Sequence, residues 1–276
     1  MRLKSCIGSL LLTLMLCSCN SWLDIDLINQ SEESDLFSTE RGFSEALAGV
    51  YCDIAASNMY GQTLSFGMLD IMSRIYDYSQ IPNKMKIFRD YNYEDKDMKA
   101  YIYALWCSFY ANIASLNNIL EWSERNASVL SDERRDQVRG EALALRGMLH
   151  FDIYRLFAAD IKLDKTSRIL PYQTDFGVKT PPVYATGDYL DLVVRDLEDA
   201  IKYLENDPIM KITPYELGNG DGENKDQSDL YVARMNYYAA KALLARVYLN
   251  MGGEKVKEAR RLAEEVIDCG KFALVD

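Results

Sequence analysis

Apolar residues recur every three or four positions along most of this chain, and the stripes they draw predict helices rather than strands. The spacing places a first helix near 40–57, a second near 62–75, a third near 97–123 and a fourth near 132–158. Between 186 and 205 the pattern is simplest: Leu190, Val193, Leu197, Ala200, Ile201 and Leu204 form one face. Arg195, Asp196, Glu198, Asp199, Lys202 and Glu205 fall at other positions, as in an amphipathic surface helix. Thr186 is placed to cap its start, and Pro208 stops its continuation.

The helix predicted over 132–158 is apolar on two sides. Ala142, Leu145, Leu149, Ile153 and Leu156 mark one stripe, and Ala144, Met148, Phe151 and Tyr154 fill a second. Such a helix must be covered on both faces, and Ala142, Ala144 and Gly147 are small enough for a neighbour to come close. From 235 to 268 the pattern becomes a helical hairpin around Gly252-Gly253. Ala245, Tyr248, Gly252, Ala259 and Leu262 follow the order of a tetratricopeptide unit, with a turn one or two residues longer. The expected fold is therefore all-α: tetratricopeptide-like hairpins stacked as a scaffold with long irregular loops.

The N-terminus departs from this pattern. Arg2 and Lys4 precede an apolar run from Ile7 to Leu16, too short to span a bilayer, and Leu16-Cys17-Ser18-Cys19 follows. That order resembles the lipobox of bacterial lipoproteins, so residues 1–18 are expected to be a signal peptide and Cys19 the lipidated first residue. Acyl chains contribute roughly 0.8 kcal/mol per buried methylene, and several together anchor stably. Residues 19–37 read as a polar tether, with Trp22 and Leu23 able to dock on the body, and 38–276 as the helical body.

Charge narrows the partners. The 276 residues carry 42 acidic and 31 basic side chains, a net charge of −11, and removal of Arg2 and Lys4 makes the chain more acidic still. Such a surface repels phosphate backbones, so nucleic acid is not an expected partner. Of six cysteines, Cys6 and Cys17 lie in the signal and Cys19 in the lipobox. Cys52, Cys107 and Cys269 sit in apolar helical contexts as small buried hydrophobes, with no Cys-x-x-Cys to build a metal or redox site. No cofactor is expected.

Four stretches together resemble the SusD/RagB-like outer-membrane lipoproteins of the Bacteroidetes. They are Cys19 to Asp24; Arg139 to Phe157; Tyr189 to Leu204, including Asp196 to Ala200; and Ala239 to Leu249. The resemblance implies a lipid-anchored, surface-exposed protein of the outer membrane whose helical scaffold binds oligosaccharides or other nutrients on its loops. It also implies a partner, a SusC-like TonB-dependent transporter that receives the ligand. Family members continue well beyond the point where this chain stops at Asp276, so the chain is expected to correspond to their N-terminal region.

Chemistry beyond binding finds little support. His150 is the single histidine and falls on the two-sided helix, where a packed role outweighs a catalytic one. Asp70, Asp77, Asp90, Glu94, Asp95 and Asp97 offer carboxylates, leaving a helical glycoside hydrolase as the enzymatic alternative; a non-binding structural repeat lipoprotein is the third class. The binding candidate is the aromatic segment 74–93. Tyr76, Asp77, Tyr78, Asn83, Arg89, Tyr91, Asn92 and Tyr93 mix flat apolar faces with hydrogen-bonding groups suited to sugar rings. The same tyrosines would equally serve to pin a long loop to the helices. The glycine- and acid-rich stretch 218–229 lacks the register of a calcium loop and reads as a connector.

Overall fold

The computed structural model describes residues 33–77, 79–211 and 233–272. The signal segment, Cys19, Trp22, Leu23, Tyr78 and the 218–229 stretch lie outside the described residues. The helices are α1 (Glu40–Ile54), α2 (Met68–Met72), α3 (Lys86–Arg89), α4 (Lys96–Arg125), α5 (Asp132–Phe157), α6 (Thr186–Tyr203), α7 (Tyr237–Met251) and α8 (Lys255–Asp268). One two-stranded antiparallel hairpin, β1 (Arg168–Pro171) with β2 (Val183–Ala185), leads into α6. Among the described residues this is the only sheet, and the all-α expectation holds.

Local chemistry starts four of these helices. Thr39 accepts the Gly42 N–H, Asp95 those of Asp97 and Met98, Ser131 that of Arg134, and Asn236 that of Ala239. α6 begins without such a cap, which corrects the expectation that Thr186 supplies one. Thr186 is its first helical residue, buried, with its hydroxyl donating to the Ser167 carbonyl at 3.3 Å. The strand runs directly into the helix, so that hydroxyl ties the two together instead of capping.

The helices stack in chain order: α4 on α5, α5 on α6, α6 on α7 and α7 on α8, with α1 against α4 and α5. α5 is covered on both sides, burying Ala142, Ala144, Leu145, Leu149, Phe151 and Ile153 together. A Cβ on Gly147 would sit 3.0 Å from the Leu197 side chain, and one on Gly140 only 2.5 Å from Leu204, so both glycines let α6 lie close. α7 and α8 form the predicted hairpin. Gly252, at φ 73° and ψ −160°, takes a backbone conformation that side chains disfavour.

Four expectations need correction. The helix predicted over 62–75 shrinks to five residues. A Cβ at Gly67 would meet the Gln62 carbonyl at 2.8 Å, because the chain folds back through turns there instead of continuing a helix. Phe37, placed at the end of the polar 19–37 segment, belongs to the body instead: it is buried, stacked on Trp122 at 5.6 Å, with its carbonyl bonded by the Asn126 amide. Cys52 and Cys107 are exposed and Cys269 half-buried, all as free thiols. Cys107 lies one turn from the exposed Tyr103, on the outer side of α4. Asp196, counted among the surface charges, is buried because Arg146 reaches it across the α5–α6 contact.

Candidate functional site

Arg146 organises the polar interior. Its Nε and Nη2 donate to the two Asp196 oxygens, each at 2.7 Å, and its Nη1 donates to the Asn117 Oδ1 at 2.8 Å. Tyr172 donates its hydroxyl to Asp196 at 2.7 Å, and the Asn117 amide bonds the Gln173 and Asp175 carbonyls. One buried cluster thus fixes α4, α5, α6 and the 172–175 segment. His150 belongs beside it, fully buried and stacked on Tyr172 at 3.8 Å, with Nδ1 paired to the Tyr189 hydroxyl at 2.8 Å. Burial, helped by the nearby Arg146 charge, lowers its pKa to about 3, so the ring is neutral and structural.

On this rigid frame sits a half-open cavity of about 560 Å³. Its walls are the turns 57–68, the loop 76–88 and the N-terminal half of α4. Ile81 and Phe88 are buried and hold the loop down, and Phe88 meets Tyr101 edge to face at 5.1 Å. Three aromatic rings remain accessible in the lining: Phe66, Tyr76 and Tyr101, each between a third and three-fifths exposed. Polar lining comes from Ser57, Asn58, Gln62, Thr63, Asp77 and Gln80. Apolar ring faces beside hydrogen-bonding edges are the surface that a ligand with both kinds of face requires.

The sequence-derived candidates divide. Tyr76 and Asp77 line this cavity; Asn83, Arg89, Tyr91, Asn92 and Tyr93 do not, and Tyr78 lies outside the described residues. Asn83 opens a short helical turn, and Arg89 pairs with Asp90 through two bonds. Tyr91 takes a left-handed backbone at φ 50° and donates its hydroxyl to the Met72 carbonyl, pinning the loop. Tyr76 does both: its hydroxyl donates to the Phe66 carbonyl at 2.6 Å while its ring lines the cavity. Asn92 and Tyr93 are exposed outside it.

Phe66 and Tyr101 were missed by a reading confined to 74–93. Phe66 stands next to Gly67, and Tyr101 and Tyr103 interrupt the polar side of α4, a pattern that marks exposed aromatics. The carboxylates do not assemble. Asp77 is the single acid in the cavity lining, while Asp95 caps α4, Asp90 pairs with Arg89 and Glu94 with Lys99. The Ser79 N–H, and then its hydroxyl, hold the Asp77 carboxyl below its ordinary pKa, so it stays ionised.

A stacked-helix scaffold with an aromatic-lined cavity on its loops defines a class of binding protein. Comparison with known proteins narrows the class: the SusD-like family model, described as starch-binding associating with outer membrane, matches residues 21–215. The chain belongs to this family. A SusD superfamily protein of Bacteroides thetaiotaomicron shares the fold with a TM-score of 0.61 at 23% identity, over 86% of this chain and 48% of its own. A SusD homolog from the same organism gives 0.64 at 21%, over 89% and 43%. A SusD-like carbohydrate binding protein of Bacteroides vulgatus gives 0.61 at 16%, over 86% and 46%. The chain spans less than half the length of these solved structures, and at such identities the likeness speaks to the fold. No curated protein matches the sequence. Among the described residues no helix is long and apolar enough to cross a membrane.

Proposed function

We propose that this chain is the helical, glycan-binding part of an outer-membrane lipoprotein, anchored through Cys19, that passes captured oligosaccharide to a SusC-like TonB-dependent transporter. The observation that carries the reading is the cavity with Phe66, Tyr76 and Tyr101 exposed in its walls. Family membership supports it, since the family is described as starch-binding and associated with the outer membrane. Binding without turnover fits the lining better than hydrolysis, because glycosidase chemistry needs two carboxyl groups across the scissile bond and the lining holds one.

One preparation tests anchoring and binding together. The full-length chain expressed in a host with lipoprotein processing is expected in the membrane fraction, and Cys19→Ala in the soluble fraction. The detergent-extracted protein is expected to be retarded in native gels containing polysaccharide, with no reducing sugar released on incubation. A Cys19→Ala chain that stays with the membrane would refute the anchor, and release of reducing ends would move the protein to the enzyme class.

A further inference from the structure

The cavity's hydrogen-bonding groups carry one negative charge and no positive one. Some of its donors are spent on the protein: the Tyr76 hydroxyl on the Phe66 carbonyl at 2.6 Å, the Thr63 hydroxyl on the Ser57 carbonyl at 2.9 Å, and the Asn58 amide on the Ser108 hydroxyl at 3.0 Å. The Gln80 amide donates to the adjacent Ser79 hydroxyl at 3.1 Å. The lining's remaining groups are neutral apart from one acid: the side-chain carbonyls of Asn58 and Gln80, the hydroxyls of Ser57 and Tyr101 and the amide of Gln62, beside the ionised carboxylate of Asp77. Among the described residues that line the cavity there is no lysine, arginine or histidine.

From this inventory, and resting on the glycan-binding reading above, we infer that the cavity selects an uncharged glycan and rejects uronate, sialate and sulfate sugars. A neutral hexose brings hydroxyl groups that donate to the Asn58, Gln80 and Asp77 oxygens, while its C–H faces lie on the Phe66 and Tyr101 rings. A carboxylate or sulfate offers acceptors only. Inside the cavity it would lose water without gaining a cation, and it would stand near the Asp77 charge. The acidic surface, with a net charge of −11, opposes its approach from outside as well.

Native affinity gels at about 0.15 M salt, where surface charges beyond roughly 8 Å are screened, separate the outcomes. The probes are amylopectin, dextran, galactomannan and arabinoxylan as neutral polymers, and polygalacturonate, alginate and chondroitin sulfate as anionic ones. At least one neutral polymer is expected to retard the full chain. Phe66→Ala and Tyr101→Ala are each expected to weaken that retardation about fivefold, the worth of one ring contact. Both positions are partly exposed, and an unchanged helical circular dichroism signal verifies that each variant is folded. No anionic polymer is expected to retard the protein. Retardation by an anionic polymer that Tyr101→Ala abolishes would overturn the selectivity while leaving glycan binding at this cavity intact. Failure of every polymer would instead overturn the glycan-binding reading, and the selectivity with it.

Discussion

Asp196→Ala is expected to destabilise the protein by about 3–5 kcal/mol, because it leaves the Arg146 guanidinium buried without its counter-charge. The two side chains are 8% and 4% exposed, so water cannot replace the lost carboxylate. Tyr172 and the 172–175 segment lose an anchor in the same step, since the Tyr172 hydroxyl donates to Asp196. Domains of this kind are stable by only about 5–15 kcal/mol, so the variant should unfold at clearly lower urea with an unchanged slope. The double variant Arg146→Met with Asp196→Leu removes both charges and should recover most of the loss. A single-variant cost under about 1 kcal/mol would mean that the pair does not hold α5 to α6.

The second large effect is pH-dependent and centres on Glu141. This side chain is buried on α5, accepts a bond from the Tyr51 hydroxyl of α1 at 3.2 Å, and has the Arg234 Nη1 at 3.8 Å. Burial raises its pKa to about 7; Arg234, Arg134 and the Tyr51 bond pull the other way, and Asp207 adds to the rise. Between pH 4.5 and 7 the unfolded chain ionises this group while the folded chain keeps its proton. The folded state therefore binds more protons, and stability falls as pH rises through that window, by roughly 3 kcal/mol in all.

His150 slopes the opposite way. Its folded pKa of about 3 means that the unfolded chain binds the extra proton between pH 3 and 6.5, so stability is lost as pH falls through that range. The two slopes cancel between about pH 4.5 and 6.5, which leaves a flat profile that hides both groups. Glu141→Gln exposes them. The variant should gain roughly 3 kcal/mol on the parent between pH 4.5 and 7, measured by urea unfolding at several pH values, with no further gain above pH 7. A difference independent of pH would show that Glu141 is ionised in the folded state throughout.

Much of the scaffold was legible because helices announce themselves by period. The stripes at 97–123, 132–158 and 235–268 fix helices to within two or three residues, and the doubled stripe from Ala142 to Leu156 foretold a helix covered on both sides. Asp196 was misread because its burial depends on Arg146, fifty residues away, and periodicity along one helix cannot see a partner on another. The exposed Cys107 shows the same limit, since an apolar neighbourhood in sequence does not decide which side of a helix faces solvent. The cavity was half legible. Tyr76 and Asp77 came from the aromatic crowding of one loop, whereas Phe66 and Tyr101 reach it from a turn and from a different helix. The fold-back at Gly67, the seat of Phe88 against α4 and the Tyr76 and Asn58 bonds bring the three segments together.

The central claim, that glycan is held in the cavity between the 57–68 turns, the 76–88 loop and α4, is tested most directly by comparing two variants on one retarding polysaccharide. The first is Phe66→Ala with Tyr101→Ala, which strips two ring faces from the cavity; the second is Tyr93→Ala, an exposed tyrosine of the same region outside the lining. Affinity is predicted to fall roughly 30-fold in the first, about 2 kcal/mol for two ring contacts, and to stay within about twofold in the second. Full affinity in the cavity variant, or a loss confined to Tyr93→Ala, would contradict the account and move the binding surface to the outer face of the loop.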